Sequence, residues 1–331
     1  MSRGFKAVID RTGAILLGDT IVCDAHADRP LRIVTHGHTD HTGGLNASMQ
    51  RCQQVLMTPA TRDLIHILYG LPAGHETVLR TLSYGERLQF NDDKLTFFNA
   101  GHILGSAQVL VEDDEGTRIV YTGDFKLPEA VVVPADLLVI EATYGKPANR
   151  RPFKHEVEHE LVRLVRERLR EGNVFIFGYH GKVQEVIRTL TRAEVEAPIL
   201  VPRRIYEVTQ LYEQQEGGFS HPYYQLGTPL ASEAMRGAHI VVHHLRSAAN
   251  FTGRGTRIYL SGWEFERPCK RLGEAEYLVA WSDHADFDEL LNYVQESRPR
   301  FVITDRYRVG GAAALAREIM RRLGIPSSPM P

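Results

Sequence analysis

The chain has 331 residues, 43% hydrophobic and 24% charged, the proportions of an ordinary soluble globular protein with room for one large domain or two modest ones. No apolar run reaches the roughly 18 residues a membrane span needs, and three scattered cysteines, Cys23, Cys52 and Cys269, exclude a disulfide framework or a thiolate metal site. A net charge of −2 excludes a uniformly basic nucleic-acid binder, so any phosphate-binding surface must be local.

Of the 39 basic residues 32 are Arg, and Arg150-Arg151, Arg203-Arg204 and Arg254/Arg257 are the local candidates. The segment Met1 to Leu17 has only the short apolar stretch Ala14 to Leu17 and no cleavage-like site, so a leader is not expected and a cytoplasmic location is.

Short β runs separated by turn residues fill the chain as far as Tyr144: Ile15 to Leu17, Leu31 to Val34, Val55 to Met57, Leu95 to Phe98, Gln108 to Val111, Ile119 to Tyr121 and Leu137 to Ile140. One helix, Pro59 to Tyr69, interrupts them. Immediately after the run Leu31 to Val34 comes His36-Gly37-His38-Thr39-Asp40-His41, three imidazoles and a carboxylate on a loop leaving a strand. Imidazole and carboxylate bind zinc and similar divalent ions. From this loop His36 and His38 can take one ion while Asp40 and His41 reach a neighbouring one. His102, between glycines after the β run Leu95 to Phe98, and Asp124, at the end of another, are further candidates. A carboxylate at Asp124 can bridge two ions and polarise water between them.

Pro and Gly thicken over Gly145 to Pro152, which reads as a boundary. Helix and strand then alternate: helix Glu156 to Arg170, strand Val174 to Phe177, helix Lys182 to Leu190, strand Ile199 to Val201, helix Ile205 to Gln214, and strands His239 to His243 and Arg257 to Leu260. The pattern is that of a parallel α/β unit. Helix Asp286 to Ser297, strand Phe301 to Thr304 and helix Gly311 to Leu323 close the chain.

In this order the motifs resemble the metallo-β-lactamase superfamily, and more narrowly its β-CASP nuclease branch, over nearly the whole chain. The resemblance implies an α/β fold, an αββα sandwich over residues 1–145, an inserted β-CASP domain over 146–279, and a closing part of the sandwich over 280–331. It implies two divalent ions, zinc or manganese, with His36, His38, His102 and Asp124 around one and Asp40, His41 and Asp124 around the other. Asp24, after Val22-Cys23, matches an acidic motif that supports a ligand histidine from behind. Glu141, in Ile140-Glu141-Ala142-Thr143-Tyr144-Gly145, and His284, in Trp281-Ser282-Asp283-His284-Ala285-Asp286, match the motifs that separate nucleases from lactamases. By that analogy His284 contacts the scissile phosphate or protonates the leaving oxygen, Glu141 orients and charges His284, and Asp40 belongs to the catalytic set.

Ser261-Gly262-Trp263, Ser282 to His284 and Tyr179 to Gln184 are similar to the small exonucleases associated with DNA ligase, and Lys182 and Ser282 are then expected to meet substrate. The function implied is hydrolysis of DNA or RNA phosphodiesters at single strands or ends, in DNA repair or RNA processing. A homodimer is left open and no membrane is expected. The alternatives are a thioester or lactone hydrolase of the same superfamily and a catalytically silent nucleic-acid-binding subunit.

One position departs from the family. After the strand Phe301 to Thr304, where a histidine usually completes the second metal site, stands Asp305, followed by Arg306. Asp305 could coordinate as a harder ligand, favouring manganese or magnesium, or pair with Arg306 and leave the second site weak. His155-Glu156-Val157-Glu158-His159 matches the zinc-protease pattern H-E-x-x-H. Its histidines, however, fall opposite the apolar stripe Phe153, Val157, Leu161, Leu164 and Leu169, hence on the solvent face. His243-His244 is expected to be structural, and His26, His66, His75 and His221 to lie at the surface.

Overall fold

The computed structural model describes residues 6–71 and 74–331; the first five residues of the segment expected to lack a leader, and the side chain of His75, lie outside the description. The chain divides into two compact units, one of the residues up to Arg150 with His284–Pro331, the other Arg151–Asp283.

The first unit opens with a six-stranded sheet in sequential order: β1 Ala7–Ile9, β2 Ile15–Leu17, β3 Ile21–Cys23, β4 Leu31–Ile33, β5 Gln54–Met57 and β6 Leu79–Thr81. Between β4 and β6 run α1, Leu45–Arg51, and α2, Pro59–Tyr69. Helix α2 starts where Thr58 accepts from the Thr61 N–H with Pro59 in the first turn, and stops at Gly70, whose φ is 75°. Five strands of a second sheet follow: β7 Arg87–Phe90, β8 Asp93–Asn99, β9 Ala107–Glu112, β10 Arg118–Tyr121 and β11 Leu137–Ile140.

The second unit is a seven-stranded sheet of β12 Val174–Gly178, β13 Ile199–Val201, β14 Tyr223–Gln225, β15 Ile240–His244, β16 Thr256–Leu260, β17 Cys269–Arg271 and β18 Glu276–Val279. Its order is β14-β13-β15-β12-β16-β18-β17, parallel except at β17. Its helices are α3 Val157–Leu169, α4 Lys182–Arg192, α5 Arg203–Glu216 and α6 Pro229–Ala234. Strand β12 is buried along its whole length, as a central parallel strand covered on both faces must be.

The chain then returns to the first unit as α7 Phe287–Ser297, β19 Phe301–Asp305, α8 Ala312–Leu323 and β20 Ser327–Met330, completing the second sheet as β20-β19-β11-β10-β9-β8-β7. Side-chain alternation along the strands builds the layers. Val109, Val111, Ile119 and Val139 point inward against Ile15, Leu17, Leu31 and Ile33 of the first sheet. Leu110, Val120 and Leu138 point outward against Leu290, Val294, Leu315 and Ile319 of α7 and α8. On the far side Leu45, Met49 and Ile65 of α1 and α2 cover Val55 and Met57. The first unit is thus the expected αββα sandwich.

The crossings between units fall at Arg150 and Asp283, a few residues past the expected boundaries at 145 and 279. The reason is local. The Asn149 carbonyl accepts from the Phe287 N–H at 3.0 Å and Arg150 pairs with Asp288 at 2.8 Å, holding the turn after Gly145 to the sandwich. No helix among the described residues is long and apolar enough to cross a membrane.

Candidate metal centre

The histidine loop leaves β4, and its base is set by two buried charges. Asp24, just past β3 with a left-handed φ of 66° that aspartate tolerates, accepts from the Thr35 N–H at 2.9 Å, the Tyr121 hydroxyl at 2.7 Å and His41 Nδ1 at 2.7 Å. Arg32 lies in the run that reads as apolar, yet it is fully buried and donates to the carbonyls of Asp24, Ile33, Gly43 and His41. A guanidinium with five donors thereby ties four carbonyls around the base of the loop together.

Burial would raise the Asp24 carboxyl, but His41 and Arg308 beside it hold it below the ordinary range. Its folded value therefore lies under the unfolded one. The stability it contributes is full above about pH 4 and is lost as pH falls through the folded value. Asp24→Ala is expected to cost about 3–5 kcal/mol at pH 7, as breaking a buried pair does. It should also flatten the acid side of the stability curve, read as urea midpoints of metal-free protein from pH 7 to pH 3. An unchanged acid slope would contradict this account.

His102 and Asp124 reach the loop from the second sheet. His102 follows β8 in a turn whose Gly101 and Gly105 have φ of 66° and 78°. A Cβ at Gly105 would stand 2.5 Å from the Thr61 nitrogen, so the close approach of α2 requires glycine. Ser106 Oγ accepts from the His102 N–H at 3.1 Å and fixes that turn. Asp124 follows β10 after Gly123, whose φ is 55°.

One nitrogen each of His36, His38 and His102 lies within 4.8 Å of the others. His102 Nε2 is 3.0 Å from His38 Nδ1, and Asp124 Oδ2 is 3.7 Å from His36 Nε2 and 3.8 Å from His102 Nε2. Ligands of a tetrahedral zinc at about 2.0–2.1 Å stand roughly 3.3 Å apart, so the three imidazoles are spaced to hold an ion, with Asp124 at its edge and grouped at ligand spacing with His36 and His41. Two further observations fit. His36 Nε2 is buried without a hydrogen-bond partner, and burial, with His41 and His102 nearby, pushes the His36 imidazole well down to its neutral, lone-pair form. Burial opposes the charge on Asp124, but His41 outweighs it and keeps the carboxylate ionised well below the ordinary range.

The second set is brought together but does not fit in the same way. His41 Nε2 stands 3.2 Å from Asp124 Oδ2 and 3.4 Å from Asp40 Oδ2. The same nitrogen also faces the Arg308 Nε–H at 3.0 Å. Burial and Arg308 oppose charging of His41, while Asp124 and Asp24 favour it and would carry it well above the ordinary histidine range. An N–H aimed at Nε2 needs the lone pair there. Only a neutral ring, with Nδ1–H donated to Asp24, can accept from Arg308; a charged ring would turn the same nitrogen to Asp124 instead. Asp305 is in none of the groups that could hold a metal among the described residues. It pairs at 2.6 Å with Arg308 rather than with Arg306, which is exposed. Arg308 is the residue at this centre that the sequence reading missed.

His284 Nδ1 lies 3.0 Å from Glu141 Oε2, and its ring centroid lies 4.5 Å from that of His102. Phe125, next to Asp124, positions this pair: its N–H donates to Glu141 Oε1 at 2.8 Å and its carbonyl accepts from Ala285 at 2.7 Å. In the second unit Lys182 Nζ is held by Asp283 at 2.9 Å, with half-buried Ser282 next along the chain. Most of the proposed phosphate arginines are also committed: Arg150 to Asp288, Arg151 to the Gly262 carbonyl, Arg203 to Glu207 and Arg257 to Glu276.

His155 and His159 are exposed, as the apolar stripe requires, and the first sits in a 3₁₀ turn ahead of α3. His243 stacks on Phe177 and His244 accepts from the Arg246 N–H, both structural contacts. His66 and His221 are exposed, whereas His26 is half-buried against Ser48 Oγ at 2.9 Å.

Residues 26–201 match the model of the β-lactamase superfamily domain, more than half of the chain. The chain belongs to the metallo-β-lactamase superfamily. Within this superfamily it is a β-CASP protein. It is 38% identical over 132 residues, 39% of this chain and 94% of the relative, to an "Uncharacterized protein in lig 3'region" of Acidianus ambivalens. It is 28% identical to a "Probable DNA ligase" of Opitutus terrae across 92% of this chain but 31% of that protein. It is 31% identical to an "RNase J-like protein" of Methanocaldococcus jannaschii over 47% of this chain and 42% of the relative. The chain thus spans less than half the length of the latter two. A crystal structure of a protein of unknown function from Enterococcus faecalis shares the metallo-β-lactamase fold, with a TM-score of 0.56 and 12% identity over 84% of this chain and 75% of that one.

Proposed function

We propose that this β-CASP protein is a metal-dependent nuclease that hydrolyses phosphodiesters at single strands or ends. The observation that carries this reading is the Glu141–His284 pair beside the imidazole cage. Hydrolysis of an ester with an alkoxide leaving group needs a proton donor next to the electrophile, whereas the thiolate of a thioester departs without one. DNA ends are the favoured substrate, because a relative named as a DNA ligase matches nearly the whole of this chain.

The residues divide the work. His36, His38, His102 and Asp124 hold a divalent ion, zinc or manganese, and a bound ion there supplies charge against the phosphate oxygens and acidifies water. Asp40, whose side chain is more than half exposed, accepts a hydrogen bond from the attacking water and aims it at phosphorus. Glu141 holds Nδ1 of His284, so the other ring nitrogen delivers a proton to the departing oxygen. Asp24 fixes the His41 ring from behind. Ser282 offers its hydroxyl to a phosphate oxygen, while Lys182 steadies that segment through Asp283. Tyr179 and Trp263, exposed at the carboxyl ends of β12 and β16, are flat surfaces on which bases of a single strand can stack.

The test is a digestion panel of labelled single-stranded and duplex DNA and RNA with zinc, manganese and magnesium, beside Asp40→Asn. Wild type should shorten single-stranded DNA, with the variant slower by about 100-fold or more. Hydrolysis of a thioester with every polynucleotide intact would refute the reading. Binding without cleavage under every metal would make the chain a silent subunit.

A further inference from the structure

The second metal position is contested by a residue of the chain itself. Arg308 follows β19 by three residues, and its side chain is nine-tenths buried. Nη1 binds Asp305 Oδ2 at 2.6 Å, Nη2 lies 3.9 Å from Asp24 Oδ2, and Nε points at His41 Nε2 from 3.0 Å and stands 4.0 Å from Asp40 Oδ2.

The arrangement is built rather than incidental. Asp305 spends its other oxygen on the Tyr307 N–H at 2.9 Å, so neither oxygen of that carboxylate is spare. The loop is tied at both ends, by the Arg306 N–H to the Met330 carbonyl and by the Gly311 N–H to the Ala142 carbonyl, each at 2.7 Å. At Gly310 any Cβ would fall 2.0 Å from the Ala142 oxygen, so the tie admits only glycine. A guanidinium cannot give up its charge in this setting, and one lone pair on His41 cannot serve both an N–H and an ion.

We propose that Arg308 is a resident cation standing where a second divalent ion would bind, so that the chain takes a single ion in the His36, His38, His102 and Asp124 cage. Asp305, in the position of a ligand, instead holds the arginine. One guanidinium supplies a single positive charge among Asp24, Asp40 and Asp124, with donors fixed in a plane. The proposal rests on the reading of the first cage as a metal site, but not on the substrate.

Metal content decides it without any activity measurement. Metal-stripped protein is titrated with Mn²⁺ or Zn²⁺, ions per chain are counted by native mass spectrometry, and the Mn²⁺ forms are examined by electron paramagnetic resonance. Wild type should hold one ion and give an uncoupled Mn²⁺ signal. Arg308→Ala, which releases Asp305 and the His41 lone pair, should bind a second ion and give the exchange-coupled spectrum of a pair about 3.5–4 Å apart. Asp305→His combined with Arg308→Ala should bind it more tightly. Should the variants not fold, the wild-type count still decides.

Two ions in wild type, or a well-folded Arg308→Ala that stays at one, overturns the proposal. No ion in wild type overturns the metal reading beneath it as well. One ion in wild type with no nuclease activity leaves this inference standing and removes the proposed function.

Discussion

Asp124→Asn is expected to lower hydrolysis by at least about a thousandfold, some 4 kcal/mol of barrier, and to cost the chain its bound ion. Asp124 stands near both His36 and His41, at 3.7 and 3.2 Å, and its carboxyl lies well below the ordinary carboxylate range. The amide keeps the shape but removes the charge that offsets a dication among buried imidazoles. Elemental analysis after gel filtration and initial rates on labelled single-stranded DNA check the two halves together. A variant that keeps both its ion and its rate would show that the chemistry lies elsewhere in the chain.

His284→Ala is expected to slow cleavage by about 10²–10⁴-fold, the range for a lost general acid, with ion content unchanged. What marks a proton donor, as against a structural histidine, is dependence on the leaving group. A p-nitrophenyl phosphodiester departs without a proton, so its hydrolysis should fall far less in the variant than that of DNA. Equal losses on both substrates would return His284 to a binding or packing role. Glu141→Gln should follow the same pattern more weakly, since the amide can still hold the ring.

The strongest elements of this fold were legible because local chemistry and burial agree there. Helix α2, bracketed by Thr58-Pro59 and Gly70, was legible at both ends, and β2, β11 and β13 coincide with their apolar runs. The three-residue β1 and β3 and the seven-residue α1 were missed. Helix α1 follows Gly43-Gly44 with no side-chain cap and is too short for a helical period to register, so tertiary packing forms it.

The site divides along the same line. The clustered histidines were readable as candidate ligands, and the structure brings His102 and Asp124 to them from strand ends. Arg308 and Arg32 were not, because a lone arginine carries no pattern; only the fold reveals whom it faces. Asp305 stands out in the sequence beside Arg306, but its partner, Arg308, is set by the turn through Tyr307 and not by adjacency.

The Asn149–Phe287 and Arg150–Asp288 contacts have a consequence for how such a protein can change. They clasp the outgoing and incoming chain to each other on the sandwich, so everything from Arg151 to Asp283 is a loop whose two feet already touch. Closing a loop costs little more when it is long than when it is short, and every side chain of the imidazole cage lies outside it. Residues 151–283 are therefore a cassette: they can be retuned or exchanged without opening the sandwich or moving the imidazole cluster.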